Sequence, residues 1–317
     1  MKKITLLLSF LICVLFTQAQ QLVTENFTYP SGTGLIGQSE WIILGTSVVN
    51  PLITTVPGIT AITYPGYPDS GVGNEVLVSN NGQDIANQFT PQTSGTVYYS
   101  VLVNISAAQT TGDYFMNLGE PNSSSFYFGR LYAKLDGTNF AFGIVNSSGT
   151  GSLTSWTTST YSLNTTYLIV VKVNAISGAS GIVINPSMTT EPTDWILNST
   201  SSTVPTSFGL GEINIRQGSS ATAPTLKLDG IRVATSYNAL FLVTDVPNTK
   251  ADNLNVYVSG NQLNLMSVSN GSMVDIYSAV GAKVQSTKLT NNSISLTNLN
   301  KGIYVVRVGD KASKIIL

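Results

Sequence analysis

The sequence predicts an all-β protein, a large antiparallel β-sandwich followed by a small one. Three observations carry that prediction. Short apolar or alternating runs recur between turn clusters, and no stretch shows convincing helical periodicity. Val97-Tyr98-Tyr99-Ser100-Val101-Leu102-Val103 concentrates the aromatic and β-branched residues that pleated sheets favour. The 28 glycines and 12 prolines mark many turns, and Asp136-Gly137 between two apolar runs signals a hairpin.

Each element follows from its residues. After Val97–Val103 come Tyr114–Leu118, Phe126–Leu135 and Phe140–Val145. Thr166–Val173 is almost continuously apolar, which predicts a strand buried on both faces. Ile182–Ile184, Ile213–Arg216 and Leu226–Ala234 complete a domain assigned to residues 21–240. The pattern breaks between Tyr237 and Ala251, with Pro247-Asn248 at its centre, so 241–251 is a linker. Leu254–Val258, Gln262–Met266, Met273–Tyr277 and Ile303–Val308 then predict a small sandwich over 252–317.

The first twenty residues stand apart from the fold. Lys2 and Lys3 precede the apolar run Ile4–Phe16, and Thr17-Gln18-Ala19 supplies the small residue that signal peptidase needs. Residues 1–20 are therefore expected to be a signal peptide, cut after Ala19 or Gln20. The apolar run is shorter than the ~20 residues of a membrane-spanning helix. Bulky Ile12 before Cys13 argues against a lipoprotein signal, which wants a small residue there. No second long apolar segment follows, so no transmembrane helix is expected after processing.

Composition excludes several chemistries. Cys13 is the only cysteine and there are no histidines, which rules out disulfides, thiolate catalysis and Ser-His-Asp triads after processing. Charged residues are 10% of the chain and hydrophobic ones 42%, ample for a packed core. Residues 21–240 hold twelve acids against six bases and lack the basic stripe of a nucleic-acid binder. Glycoside hydrolysis needs two carboxylates about 5 Å apart or more. No Glu-x-Asp-x-x-Glu spacing presents such a pair on one strand, and Glu191/Asp194 and Asp69/Glu75 lie in loop-like stretches. Acids converging from different strands would be needed for a hydrolase.

The tail is more specific. Val274-Asp275-Ile276-Tyr277-Ser278-Ala279-Val280-Gly281-Ala282-Lys283-Val284 is strand, Gly-closed turn and strand. Gly302 stands directly before Ile303-Tyr304-Val305-Val306-Arg307-Val308, and Lys314-Ile315-Ile316-Leu317 follows. This arrangement resembles the type A C-terminal sorting domain of the type IX (Por) secretion system, a small Ig-like β-sandwich. Gly281, Lys283, Gly302, Tyr304 and Lys314 carry the resemblance. Where family members open with Pro-Asn-Pro, Val258-Ser259-Gly260 stands here, and Gly260-Asn261 can make the tight turn. The resemblance implies export by a Sec signal peptide through the periplasm, the type IX machinery as partner, and a secreted or outer-surface location.

In the large domain, Glu25-Asn26-Phe27-Thr28-Tyr29, Thr111-Gly112-Asp113-Tyr114-Phe115 and Leu228-Asp229-Gly230-Ile231-Arg232-Val233 resemble concanavalin-like, laminin-G-like modules of secreted surface proteins. The resemblance implies a jelly roll whose first and last strands pair. Binding of polysaccharide or extracellular matrix is the leading functional expectation, and a glycan-active hydrolase with dispersed carboxylates the alternative. A purely structural surface role shades into the first. Sugar sites use aromatic faces beside amides and carboxylates, so Trp156 with Tyr161, and Trp195 with Asp194, are candidate contacts. A lone Trp is more often a core plug than a ligand platform, and Trp41 beside Ile42 and Ile43 is expected in the core. Tyr64 and Tyr67, in Tyr64-Pro65-Gly66-Tyr67-Pro68-Asp69, form an exposed-looking turn or a rigid connection. Asp113 and Asp229 suit turns, and Arg130, Arg216 and Arg232 within apolar strands suit buried partners for them. No cofactor is expected. Calcium, held by carboxylate and carbonyl oxygens, is the one ion such loops could take, but no Asp-rich calcium loop occurs.

Overall fold

Strands with one apolar side must bury it, and two sheets packed over a shared core are the simplest solution. A computed structural model describes residues 20–45, 51–56, 62–121, 123, 126–147, 153–200, 203–242, 254, 256–266, 268–278, 281–309 and 311–317. The expected signal peptide up to Ala19 and most of the 241–251 linker lie outside the described residues. The chain divides into two compact units, Met1–Val243 and Thr244–Leu317.

The large unit holds fifteen described strands. These are β1 (Gln21–Glu25), β2 (Trp41–Ile43), β3 (Thr54–Thr55), β4 (Val76–Val78), β5 (Ile85–Gln92), β6 (Thr96–Ala107), β7 (Asp113–Gly119) and β8 (Tyr127–Asp136). They continue with β9 (Asn139–Val145), β10 (Ser155–Trp156), β11 (Thr166–Asn174), β12 (Ser180–Ile184), β13 (Ile196–Asn198), β14 (Leu210–Ile215) and β15 (Thr225–Ala234). One sheet runs β13-β12-β11-β6-β15-β4-β3, with β1 also on β15, and the other β10-β9-β8-β7-β14-β5-β2. All pairings are antiparallel. Asp136 pairs with Asn139 across the predicted hairpin, and Gly137 takes the φ of 64° that the turn requires. First and last strands pair as expected, from Gln21 opposite Ala234 to Glu25 opposite Ile231.

Period-two alternation explains the continuous apolar run of β11. Tyr167, Ile169, Val171 and Val173 point into the main core, while Leu168 and Val170 join a second apolar cluster on the outer face. Tyr98 and Leu102 of β6 extend that outer cluster, and it is covered by the loop bearing Tyr67 and by the short 3-10 helix Asn238–Phe241, which carries Leu240 and is preceded by Tyr237. The Tyr64–Asp69 turn is therefore not the exposed feature that its Pro and Gly suggest. Tyr67 is 4% exposed, and its hydroxyl donates to the Gly230 carbonyl at 2.5 Å and meets Ser100 Oγ at 2.8 Å. The uncovered apolar face of the first sheet pulls this loop down.

Two cross-sheet bonds fix how the layers sit. The Glu25 carboxylate accepts from the Phe27 N–H at 2.6 Å, the Tyr29 hydroxyl at 2.6 Å and the Trp41 indole N–H at 2.9 Å. Because Glu25 ends β1 and Trp41 begins β2, this acid joins the two sheets. Tyr99 of β6 likewise donates to the Gly129 carbonyl of β8 at 2.9 Å. Trp41 is buried, as expected.

Charged residues inside the apolar strands find partners that only partly match the sequence reading. Arg216 pairs with Asp113 at 2.8 Å, as expected. Arg232 is fully buried and bonds Asp69 at 2.7 Å, not Asp229. Asp229 lies not in a turn but within β15, at a β-bulge where Gly230 has a φ of 58°; it accepts from the Gly230 N–H at 2.7 Å and is only 1% exposed. Burial pushes its carboxyl up to about 8, aided by Glu75 and Glu25 and opposed by the Gly230 N–H and Arg232.

This acid is neutral in the folded chain between about pH 4 and 8 but ionised in the unfolded one. Its folded pKa is raised, so stability falls by up to roughly 1.4 kcal/mol per pH unit as pH rises through that window. Above pH 8 the penalty is complete. Asp229→Asn should flatten this slope and raise stability at pH 7, measured as urea midpoints across pH 4 to 9.

Candidate functional site

The outer face of the second sheet carries the most developed site. On β8, Phe128, Leu131 and Ala133 enter the core, and Arg130, Tyr132 and Lys134 take the other side. Antiparallel register sets Tyr132 opposite Tyr114 of β7 on one side and Gly143 of β9 on the other. Gly143 in turn faces Trp156 of β10. Four residues on four neighbouring strands thus form one row across the sheet.

That row is aromatic and cationic. Tyr114 and Tyr132 have ring centres 5.5 Å apart, and Tyr132 meets Trp156 edge-to-face at 6.1 Å. The Arg216 and Arg130 guanidinium groups lie 4.3 and 4.9 Å from the Tyr114 ring centre. The Lys134 ammonium lies 4.4 Å over the Trp156 ring. An open groove of ≈ 490 Å³ runs beside the row, between the turn at residues 110–113, Thr222, Tyr132, Lys134 and Trp156.

Most charges here are already engaged. Asp113 Oδ2 accepts from Arg216 and from the Thr222 hydroxyl, both at 2.8 Å, and Oδ1 accepts from the Tyr114 N–H at 2.9 Å. Asp84 stands 4.0 Å from Arg216 and accepts from the Gln217 N–H at 2.8 Å. Arg130 donates to the Ser147 carbonyl at 2.5 Å. Burial holds the Tyr114 and Tyr132 hydroxyls above the usual phenol range, against the pull of Arg130 and Arg216. Both are therefore neutral groups at physiological pH and not phenolate bases.

The sequence candidates separate on this map. Trp156 lies half-buried at the groove, and among the described residues its indole N–H has no hydrogen-bond partner. Tyr161 is not beside it. Its ring packs against Phe140, Phe142 and Tyr167 on the core side of the same sheet, because strand alternation sends Phe140 and Phe142 inward. Trp195 belongs to the outer cluster of the first sheet, against Tyr98 and Tyr237, with its N–H spent on the Pro192 carbonyl at 2.7 Å. Lys172 lies 4.2 Å over Trp195, and the acid that meets Lys172, at 3.6 Å, is Glu191, not the exposed Asp194. A smaller groove of ≈ 280 Å³ adjoins Tyr98 and Lys172. Tyr64 and Tyr67 serve the same outer cluster. Gln20 is tied to β15, accepting from the Thr235 N–H at 2.9 Å.

Sequence reasoning missed Tyr132, Lys134 and the threonines at 110, 111 and 222. The alternation Arg130-x-Tyr132-x-Lys134 was the available signal, since it places three polar or aromatic residues on one strand face. Among the described residues, no group of three or more acids is placed to hold a metal ion.

In the tail, β16 (Val256–Ser259), β17 (Gln262–Leu265) and β20 (Ser293–Ser295) form one sheet. The other comprises β18 (Met273–Ser278), β19 (Lys283–Lys288), β21 (Ile303–Val308) and β22 (Lys311–Ile316). Leu263, Val274, Ile276 and Val306 are among its core residues. Gly260-Asn261 makes the two-residue turn that pairs Ser259 with Gln262. Gly281 closes the β18–β19 hairpin, and Lys283 reaches Asp275 at 3.2 Å. Gly302 and Leu317 exchange backbone bonds of 3.2 and 3.0 Å, and Tyr304 donates to the Asn300 carbonyl at 2.9 Å. Lys314 is exposed opposite Val305.

Residues 246–317 match the family described as secretion system C-terminal sorting domain. The tail is a sorting domain. It marks the chain for secretion through the type IX system, to the cell surface or the extracellular space. No curated protein matches the chain. Among solved structures, domain 4 of an extracellular arabinanase from Geobacillus stearothermophilus, in complex with arabinotriose, is 14% identical with a TM-score of 0.39. That match covers 70% of this chain and 97% of the domain. A sialidase from Trypanosoma rangeli is 11% identical with a TM-score of 0.41, covering 71% of this chain and 33% of the sialidase. A carbohydrate esterase of bacteriophage phi24B is 11% identical with a TM-score of 0.42, covering 68% and 98%. Likeness at this level does not extend to chemistry.

The seat of Trp156 depends on Gly143. A Cβ there would stand 2.5 Å from Thr154 Cγ2 and 2.6 Å from Trp156 Cε3. Gly143→Ala should lift the indole from the sheet and cost about 1–3 kcal/mol. Near-UV circular dichroism should lose the same contribution that Trp156→Ala removes.

Proposed function

We propose that the large unit is a glycan-binding module and that the Trp156 groove is its site. The chain is exported by its signal peptide through the periplasm and then by the type IX machinery. One observation carries the reading. Trp156 offers an unengaged indole N–H and a half-buried ring over which the Lys134 ammonium lies, in a groove also lined by Thr110, Thr111 and Thr222. Sugar recognition needs that combination, an apolar platform for the ring's C–H face and short polar groups for its hydroxyls. Trp195, by contrast, packs against Tyr98 and Tyr237 and has spent its N–H on the Pro192 carbonyl.

The groove supports binding better than hydrolysis. It presents one carboxylate, Asp113, held by three donors, whereas glycoside hydrolysis uses two.

The test is retention of the secreted chain on a panel of soluble and insoluble polysaccharides, with a parallel assay for released sugar. Retention on at least one glycan is expected, without sugar release. Trp156→Ala should weaken it about tenfold or more, the equivalent of roughly 1.4 kcal/mol. Trp195→Ala should leave retention intact while lowering stability by about 2–4 kcal/mol. Released sugar would favour the hydrolase, and no retention on any glycan would sink the reading.

A further inference from the structure

Lys134 stands out among the cations of the aromatic row. Arg216 is paired with Asp113 and lies near Asp84, and Arg130 donates to the Ser147 carbonyl. Among the described residues Lys134 has no acidic partner, and its ammonium lies over the Trp156 ring. That ring rests on the sheet at Gly143, whose missing Cβ leaves room for it. The platform is thus covered by an ammonium group held only by the ring's quadrupole.

A cation–π contact at a water-filled groove is weaker than a charge-assisted hydrogen bond to an oxyanion. A neutral sugar must displace Lys134 and offers the ammonium only uncharged oxygens as acceptors. A sugar bearing a carboxylate or sulfate offers it a better partner and bares the indole in the same movement. The long, flexible lysine stem permits the swing without backbone change. Asp113, the one acid lining the groove, opposes an anion least because Arg216, Thr222 and a backbone N–H already hold its two oxygens.

We infer that the Trp156 groove selects acidic glycans, with Lys134 leaving the indole face to pair with the sugar's anionic group. The inference rests on the groove being the glycan site. Lys134 is a specificity residue here, and Trp156 the platform common to all ligands.

Binding of the full chain to polygalacturonate, a sulfated galactan and neutral dextran tests it by isothermal titration or affinity electrophoresis. The expected result is at least a tenfold preference for one or both acidic polymers, weakening as salt is raised. Preference for polygalacturonate alone assigns a carboxylate, and for the galactan alone a sulfate. Lys134→Gln should abolish the preference while sparing or improving dextran binding, and Lys134→Arg should keep it. Equal binding of dextran and the acidic polymers, or a Lys134→Gln chain that still prefers them, overturns the selectivity. If Trp156→Ala still removes binding in that case, the groove remains the glycan site. Undiminished binding by Trp156→Ala overturns both.

Discussion

The Glu25 carboxylate is the clasp of the large unit. It ends the first strand of one sheet and accepts a hydrogen bond from the indole N–H of Trp41, which opens the edge strand of the other. A buried carboxylate is costly unless its oxygens are satisfied, and this one has three donors. The pairing of β1 with β15 delivers Glu25 to that position. Tyr99 and Gly129 repeat the cross-sheet link farther along. Within the second layer so held, the antiparallel pairing of β7 to β10 assembles the row from Tyr114 to Trp156.

The two outer faces of the sandwich have been put to different uses. The first sheet turns Leu102, Leu168 and Val170 outward and closes over them with loops, so its tryptophan becomes part of a second core. The second sheet turns Tyr132, Lys134 and Arg130 outward and leaves a groove beside them. Both tryptophans carry a lysine on the ring, at 4.2 and 4.4 Å. Similar local chemistry thus serves packing on one face and exposure on the other. The small unit contributes the address. Its core is modest, and the features shared with its family lie at turns and strand starts such as Gly281 and Gly302, where backbone geometry is most constrained.

Much of the architecture could be read from residue order alone. The continuous apolar run at Thr166–Val173 announced a strand buried twice over, and Asp136-Gly137 announced its hairpin. Short edge strands such as Thr54–Thr55 and Ser155–Trp156 were not legible, because two residues carry no period. The site was half legible. Trp156 stood out by type and by its Ser/Thr-rich surroundings. Its neighbours did not, since Tyr132 and Lys134 reach it through strand pairing over more than twenty residues of sequence. Tyr161 was misassigned for the same reason: closeness in sequence hid its placement on the opposite face. Tyr67 was misread because Pro and Gly signal a turn but not what the turn must cover.

The position of β15 has a mechanical consequence. It lies between β6 on one side and β1 and β4 on the other, antiparallel to all three. A pull on the chain from its C-terminal end must first strip Tyr237 and Leu240 from the outer cluster before it reaches this strand. A force along the strand axis would load the flanking hydrogen bonds together in shear instead of opening them one at a time. At its C-terminal end β15 is held on both edges, by β6 and by β1, so it cannot be peeled away from one side alone.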